Sequence, residues 1–177
     1  RNHISDFRLL NQENSKVENK SGNLFLREAT PEDEQFLFDV YASTRQEELE
    51  GLGWDDNQKR DFIKMQFLVR ERSYPRVDDR IIVLDERPIG RMLVDRNDGE
   101  ILLRDIALLT QYRNRGFGTI LIYDLMKEAT NSGRAIRLHV LATSAAVRLY
   151  QRLGFSITGE EAAYLEMKWI PAVSDTL

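Results

Sequence analysis

The chain contains no cysteine among its 177 residues. That single absence removes disulfides, thiolate metal sites, thiol redox chemistry and a cysteine nucleophile. Histidine is nearly as scarce: His3 lies in a polar N-terminal stretch, and only His139 lies in the body. One body histidine cannot build a histidine-rich metal site, so no metal is expected. A Ser-His-Asp triad would need His139, and no G-x-S-x-G elbow presents a serine to it. Long apolar runs are missing as well, none approaching the roughly 20 residues of a membrane span. The opening stretch RNHISDFRLLNQENSKVENKSGN has neither an apolar signal core nor an Arg-rich, acid-poor transit pattern. A cytoplasmic protein with no membrane contact is the expectation. The net charge of -4 argues against nucleic acid as a partner, although overall sign says little about one loop.

What remains is an ordinary globular composition, 42% hydrophobic and 31% charged, at a length that suits one domain with a real core. Residues 1–22 read as a polar flexible tail, 23–171 as a single domain and 172–177 as a C-terminal tail. Order starts with the strand LFLREA, then Thr30 as N-cap, Pro31 and Asp33 open a helix that GLGW ends near Glu50. Asp55 or Asp56 caps a second helix, with Phe62, Met65, Phe67 and Leu68 as its apolar residues. RIIVLD, PIGRMLV and EILLRDIALL form an antiparallel meander, with Asp98-Gly99 as a hairpin turn. A helix from Gly118 to Gly133, the strand AIRLHVL, a helix capped by Thr143 or Ser144, and the strands FSITGE and YLEMKWI complete the chain. The order is a mixed α/β sandwich, with about seven mostly antiparallel strands and about four helices, rather than a doubly wound repeat. The closing strand YLEMKWI is placed to pair across a homodimer.

The stretch QYRNRGFGTI, Gln111 to Ile120, sets arginines and glycines at the seam between a strand and a helix. A helix N-terminus presents unpaired N–H groups, and glycines let an anion approach them. Arginines add charge and fork-shaped donors. This pattern points to a diphosphate cradle. It is not a P-loop, because no Gly-Lys pair occurs, nor a dinucleotide fingerprint, because Leu121 holds the place of the third glycine.

A second stretch narrows the reading. Arg113-x-x-Gly116-x-Gly118 resembles the acyl-CoA pyrophosphate loop of the GNAT superfamily of N-acyltransferases. About thirty residues on, TSAAVRLYQRLGF resembles that superfamily's N-x-x-A-x-x-L-Y-x-x-x-G-F signature through Ala146, Leu149, Tyr150, Gly154 and Phe155. The element order from residue 24 to about 170 resembles the same fold.

The resemblance implies an N-acetyltransferase that uses acetyl-CoA as co-substrate. The backbone of Arg113, Asn114, Arg115, Gly116, Phe117, Gly118 and Thr119 would bind the pyrophosphate. The strand through Ile106, Ala107 and Leu108 would hold the pantetheine arm, splayed from the next strand. An N–H near Leu108 would polarise the thioester carbonyl. Tyr150 would be the general acid for the leaving thiolate.

The family often places a glutamate base where this chain has Leu102, so Glu100, Asp105 and His139 are the nearby candidates. Asp105 is also placed to pair with Arg104 or Arg137. Thr143 stands where asparagine is usual and offers a hydroxyl to the pantetheine. For the acceptor, Trp54 and Tyr74 are possible aromatic walls, and Glu47, Glu48, Glu50, Asp55 and Asp56 surround GLGW, which suits a small-molecule amine. The alternative within the same fold is a non-catalytic acyl-CoA-binding or sensory module.

Overall fold

A computed structural model describes residues 17–19, 22–73 and 78–172. The strands are β1 (Val17–Asn19), β2 (Gly22–Glu28), β3 (Asp78–Leu84), β4 (Arg87–Arg96), β5 (Glu100–Leu108), β6 (Ala135–Leu141), β7 (Ser156–Glu161) and β8 (Tyr164–Trp169). The helices are α1 (Glu34–Leu49), α2 (Asp56–Ser73), α3 (Phe117–Ser132) and α4 (Ala146–Arg152). All strands join one sheet in the order β1-β2-β3-β4-β5-β6-β8-β7. The seven strands and four helices read from the sequence are all there. The additional short strand β1 falls inside the stretch read as a tail and pairs with β2. The rest of that stretch, and residues 173–177, lie outside the described residues. No helix among the described residues is long and apolar enough to cross a membrane.

Local chemistry sets the boundaries. The Thr30 N–H donates to Asp33 Oδ2 at 2.9 Å, and the Arg27 fork clamps both Asp33 oxygens at 2.7 Å. The start of α1 is thereby tied to β2, and Asp33's carboxyl is held well below the usual carboxylate range, chiefly by Arg27. The β4–β5 turn closes on Asn97, whose Oδ1 accepts from the Gly99 and Glu100 amides. The β3–β4 turn puts Asp85 and Glu86 at φ 47° and 67°, the geometry of a twisted two-residue hairpin without glycine. All pairings are antiparallel except β5 with β6, because only there does a crossover helix, α3, return the chain to the same end.

Two cores lie on opposite faces of the sheet. Ile82 and Leu84 pack with Leu121, Leu125, Leu138 and Met167 under α3 and α4. Their neighbours Ile81 and Val83, pointing the other way, pack with Phe38, Tyr41, Ile63 and Phe67 of α1 and α2. The expected apolar set of α2 is corrected here: Ile63 and Phe67, one turn apart, are buried, while Met65 and Leu68 face outward. Strand β8 lies between β6 and β7, so a dimer built edge to edge could not use YLEMKWI; the free edge at that end is β7.

On the α1/α2 face Arg91 of β4 is 4% exposed. It holds Asp79 of β3 at 2.9 and 2.8 Å and Glu71 of α2 at 2.6 and 3.1 Å. Burial alone would lower its pKa, but the two carboxylates more than offset this and leave it raised. Removing one partner of a buried ion pair costs roughly 3–5 kcal/mol. Because both carboxylates keep access to water, Arg91→Met is expected near the lower end, about 3 kcal/mol, as a fall in the urea midpoint. A change below about 1 kcal/mol would show the cluster to be a surface pairing only.

Candidate active site

The pairing of β5 with β6 covers only Glu100 to Leu103 against Ala135 to Leu138. At Arg104 an extra residue bulges out of β5 opposite β4. Beyond it, Asp105, Ile106, Ala107 and Leu108 pair with Leu93, Met92, Arg91 and Gly90 of β4 and with nothing on the other side. Strand β6 meanwhile continues along β8 through His139, Val140 and Leu141. The sheet therefore opens into a cleft between two diverging strands, as the resemblance implied.

The pattern of hydrogen bonds shows which backbone groups face that gap. The Leu109 amide donates to the Ile89 carbonyl at 2.9 Å, which makes Gly90 and Leu108 a non-hydrogen-bonded pair. Leu108 therefore turns its own N–H and C=O away from β4, into the gap. Gly90 permits the close approach behind it, since a Cβ there would meet the Ala107 oxygen at 2.3 Å.

After the turn Thr110–Tyr112 the chain takes left-handed values at Asn114 (φ 57°) and Gly116 (φ 87°), and α3 begins at Phe117, buried to 2%. Residues that reverse handedness just before a helix start turn successive N–H groups toward one concavity, a ready anion site. A Cβ on Gly118 would meet nothing within 4 Å. Neither packing nor positive φ demands glycine there, and helix propensity opposes it. Open space over a helix N-terminus is the arrangement that a bound diphosphate requires.

The two loop arginines differ in role. Arg113 donates from Nε to the Leu108 carbonyl at 2.8 Å, and its Nη2 reaches Ser43 of α1, at 3.2 Å to Oγ and 3.3 Å to the carbonyl. Its guanidinium thus locks the loop to β5 and α1 instead of reaching outward. Arg115 is exposed and rests over the rings of Tyr112 and Phe117, at 5.8 and 5.3 Å.

Tyr150 of α4, 6% exposed, is buried in the core under α3 and α4, its ring 5.5 Å from that of Phe155. Burial, then the negative charge of Asp105, pushes the phenol up to about 12. Asp105 pairs with Arg70 of α2 at 2.8 Å, which corrects the expectation of Arg104 or Arg137. Those two are engaged elsewhere, Arg104 with Asp95 at 2.9 Å and Arg137 with Glu100 and Glu166. His139 projects from the α1/α2 face of β6, its side chain 50% exposed, with Nε2 3.4 Å from Glu166. The N-cap of α4 is Ala145, which corrects the expectation of Thr143 or Ser144; Ser144 Oγ, one residue earlier, accepts from the Ala146 amide at 3.2 Å, and Thr143 is exposed in the same turn.

Beside the Arg70–Asp105 pair lies a cleft of about 440 Å³ between α1 and α2, lined by Tyr41, Arg45, Met65, Gln66, Val69, Arg70 and Ser73. Apart from Met65, read as a core residue of α2, none of these residues stands out in the sequence. Tyr41 and Arg45 are merely one helical turn apart, and Arg70 reads as a cation complementing a helix C-terminus. Trp54 packs edge-on against Phe62 at 5.2 Å and does not line this cleft. Tyr74 lies outside the described residues. Glu50, Asp55 and Asp56 do not line the cleft, and Asp55 caps α2 through the Gln58 amide at 2.9 Å; the side chains of Glu47 and Glu48 lie outside the described ones. A second depression, about 530 Å³, lies toward the start of α2 and includes Ser43, Asp56, Lys59 and Arg60.

Comparison with known proteins bears on this geometry. The model of the acetyltransferase (GNAT) family matches residues 35–155, well over half of the chain. Among curated proteins the chain is 27% identical over 96 residues to the uncharacterized N-acetyltransferase CgeE of Bacillus subtilis (strain 168). That match covers 48% of this chain but only 37% of the relative. Among solved structures, the PaiA N-acetyltransferase of Thermoplasma acidophilum, in complex with coenzyme A, superposes with a TM-score of 0.64 at 18% identity. The match covers 83% of this chain and 98% of that one. A structure of histone acetyltransferase HPA2 and related acetyltransferase from Corynebacterium glutamicum superposes at 0.62 and 22% identity, over 85% and 97% of the two chains. These structural likenesses show the fold.

Proposed function

This chain belongs to the GNAT acetyltransferase family, and we propose that it moves an acetyl group from acetyl-CoA to the primary amine of a small molecule. The observation that carries the reading is the gap between β5 and β6, which the Leu108 N–H faces, with Tyr150 buried in the core on the α3/α4 side. The glycine loop before α3 stands at the same end of β5 and fits a diphosphate. Acetyl-CoA supplies an activated thioester; the chain's own residues bind, orient and move protons around it.

In this reading the loop amides from Asn114 to Thr119 and the exposed Arg115 hold the pyrophosphate; the Arg113 amide, expected to join them, instead donates to the Thr110 carbonyl at 3.2 Å. Ile106 offers outward backbone groups to the pantetheine arm, and the exposed Thr143 offers it a hydroxyl. The Leu108 N–H stabilises the oxygen that gains charge during attack. Tyr150 donates toward the sulfur. Asp105, on the α1/α2 side, attracts the ammonium and receives its proton, directly or through water. His139, half-exposed and 3.4 Å from Glu166, is the other candidate base. The chain has no cysteine to carry the acetyl group, so the amine attacks the thioester directly in a ternary complex.

Thiol release from acetyl-CoA, followed against a panel of small amines, tests the proposal. Amine-dependent release with intersecting double-reciprocal lines is the expected result. Parallel lines would overturn direct transfer. Acetyl-CoA binding without release would favour the sensory module, for which Leu102 in place of a glutamate is the feature that speaks.

A further inference from the structure

Arg113, the first arginine of the glycine loop, is tied up in a way that a diphosphate ligand would not be. Its amide donates to the Thr110 carbonyl at 3.2 Å, and the Tyr112 amide donates to the Leu109 carbonyl at 2.9 Å. The turn after β5 is thus closed by its own backbone. The Arg113 side chain then folds back five residues, and Nε donates to the Leu108 carbonyl at 2.8 Å. Nη2 of the same planar fork reaches Ser43 of α1, at 3.2 Å to Oγ and 3.3 Å to the carbonyl. Ser43 is oriented for this contact. Its hydroxyl hydrogen is committed to the Val40 carbonyl at 2.7 Å, which leaves the oxygen as an acceptor.

Leu108 is therefore held from two directions. On the β4 side the Leu109 amide is fixed to Ile89 at 2.9 Å, and on the α1 side Arg113 fixes the Leu108 carbonyl. In an antiparallel strand the N–H and C=O of one residue point the same way, so a donor that sets the carbonyl also sets the N–H. That N–H is the one facing the gap between β5 and β6. An uncovered carbonyl beside it would turn the negative end of a dipole to the same space and oppose charge gathering on an oxygen there. The guanidinium covers this carbonyl with a charged donor. Directly after Arg113 the chain turns left-handed at Asn114 and again at Gly116. One side chain thus joins the strand end before the turn, the anion loop after it, and α1.

We infer that Arg113 is a positioning residue for the transfer: through the Leu108 carbonyl it aims the Leu108 N–H, and through Ser43 it ties that aim to α1. The inference rests on the proposed function, in which this N–H meets the thioester oxygen. It gives Arg113 a part unlike that of a pyrophosphate ligand. Loss of such a ligand lowers affinity for the donor, whereas loss of a positioning residue lowers turnover and spares affinity.

The test uses the full chain and its Arg113→Ala, Arg113→Lys and Ser43→Ala variants, with acetyl-CoA isotope-labelled at the acetyl carbonyl. Infrared difference spectra of each complex, taken without any amine, report how strongly that carbonyl is polarised. Calorimetry with CoA reports affinity, and thiol release with the amine panel reports turnover. In Arg113→Ala the carbonyl band is expected at higher frequency than in the unaltered chain. Turnover should fall about 10–100-fold, with CoA affinity kept within about threefold. Arg113→Lys should restore only part of both, since one ammonium cannot bridge Leu108 and Ser43 as the fork does. Ser43→Ala should cost about 2–5-fold in turnover, and adding it to Arg113→Ala should cost nothing more, because both changes cut the same tie.

A CoA affinity that falls as far as the rate makes Arg113 a pyrophosphate ligand and overturns the inference. An unchanged carbonyl band in Arg113→Ala overturns it as well, whatever the rate does, and so does a Ser43→Ala loss that adds in full. A band that depends on Arg113 in a chain that releases no thiol with any amine leaves the inference standing and overturns the transfer. An unchanged band with amine-dependent release does the reverse. If Arg113→Ala does not fold, Ser43→Ala decides: a raised band with CoA affinity kept supports the inference, and an unchanged band overturns it.

Discussion

Replacing Tyr150 with Phe lowers the rate of amine acetylation by about 10²–10³-fold, the range of a positioned general acid. The affinity for acetyl-CoA should change by no more than about twofold, since the ring keeps its packing against Phe155 and only the hydroxyl leaves. The phenol's raised pKa sharpens the expectation. At about 12 it stays protonated through any ordinary assay, so it is always ready to donate. Full transfer to a thiolate whose acid has a pKa of about 8.5 would be uphill by roughly 5 kcal/mol if that thiolate were in water. The burial that disfavours tyrosinate disfavours thiolate in the same gap, which narrows the difference. The rate of the unaltered chain should accordingly rise with pH as the amine deprotonates, with no falling limb from Tyr150 below about pH 11. A loss of acetyl-CoA binding as large as the loss of rate would make Tyr150 a packing residue instead.

Much of this arrangement was legible in the residues, and the part that was not has a common cause. Thr30, Pro31 and Asp33 announce a helix start through local hydrogen bonds, and that start is where it was expected. Alternation and turn residues locate seven strands for the same local reason. The gap itself follows from one bulge at Arg104 and one crossover helix. The side-chain partners depend on how distant elements meet. Asp105 has arginines close in sequence and on the next strand, yet the cation that reaches it stands on α2, thirty-five positions earlier. Arg113 looks like a phosphate ligand in a loop motif, but Ser43 of α1 and the Leu108 carbonyl occupy its donors. The two positions that the family pattern prizes, Leu102 and Thr143, are departures that no local rule interprets. The lining of the cavity between α1 and α2 is hidden for the same reason: Asp55, adjacent in sequence to GLGW, caps a helix, while arginines from two helices line the cavity.

Gly118 and Gly116 look alike in the sequence and should behave oppositely when changed to alanine. Gly116 sits at φ 87°, where a Cβ costs roughly 1–2 kcal/mol whatever the space around it. Gly116→Ala is therefore expected to destabilise the ligand-free chain by about that amount. Gly118 has an ordinary φ in the first turn of α3 and open space where its Cβ would go. Gly118→Ala should leave the ligand-free chain as stable as before or raise its stability by up to about 1 kcal/mol, because alanine favours the helix. The same methyl group would stand where the diphosphate must approach the N-terminal amides, so CoA affinity should fall by about 10–100-fold, or roughly 1.4–2.7 kcal/mol. Thermal unfolding of the free chain and calorimetry with CoA measure the two effects separately. A Gly118→Ala chain that is more stable and binds CoA as tightly as before would show that the space over α3 is not where the pyrophosphate lies. A chain that loses both stability and affinity would place the need for glycine in the fold, as at Gly116. Gain of one with loss of the other is the result that only a ligand at that helix end explains.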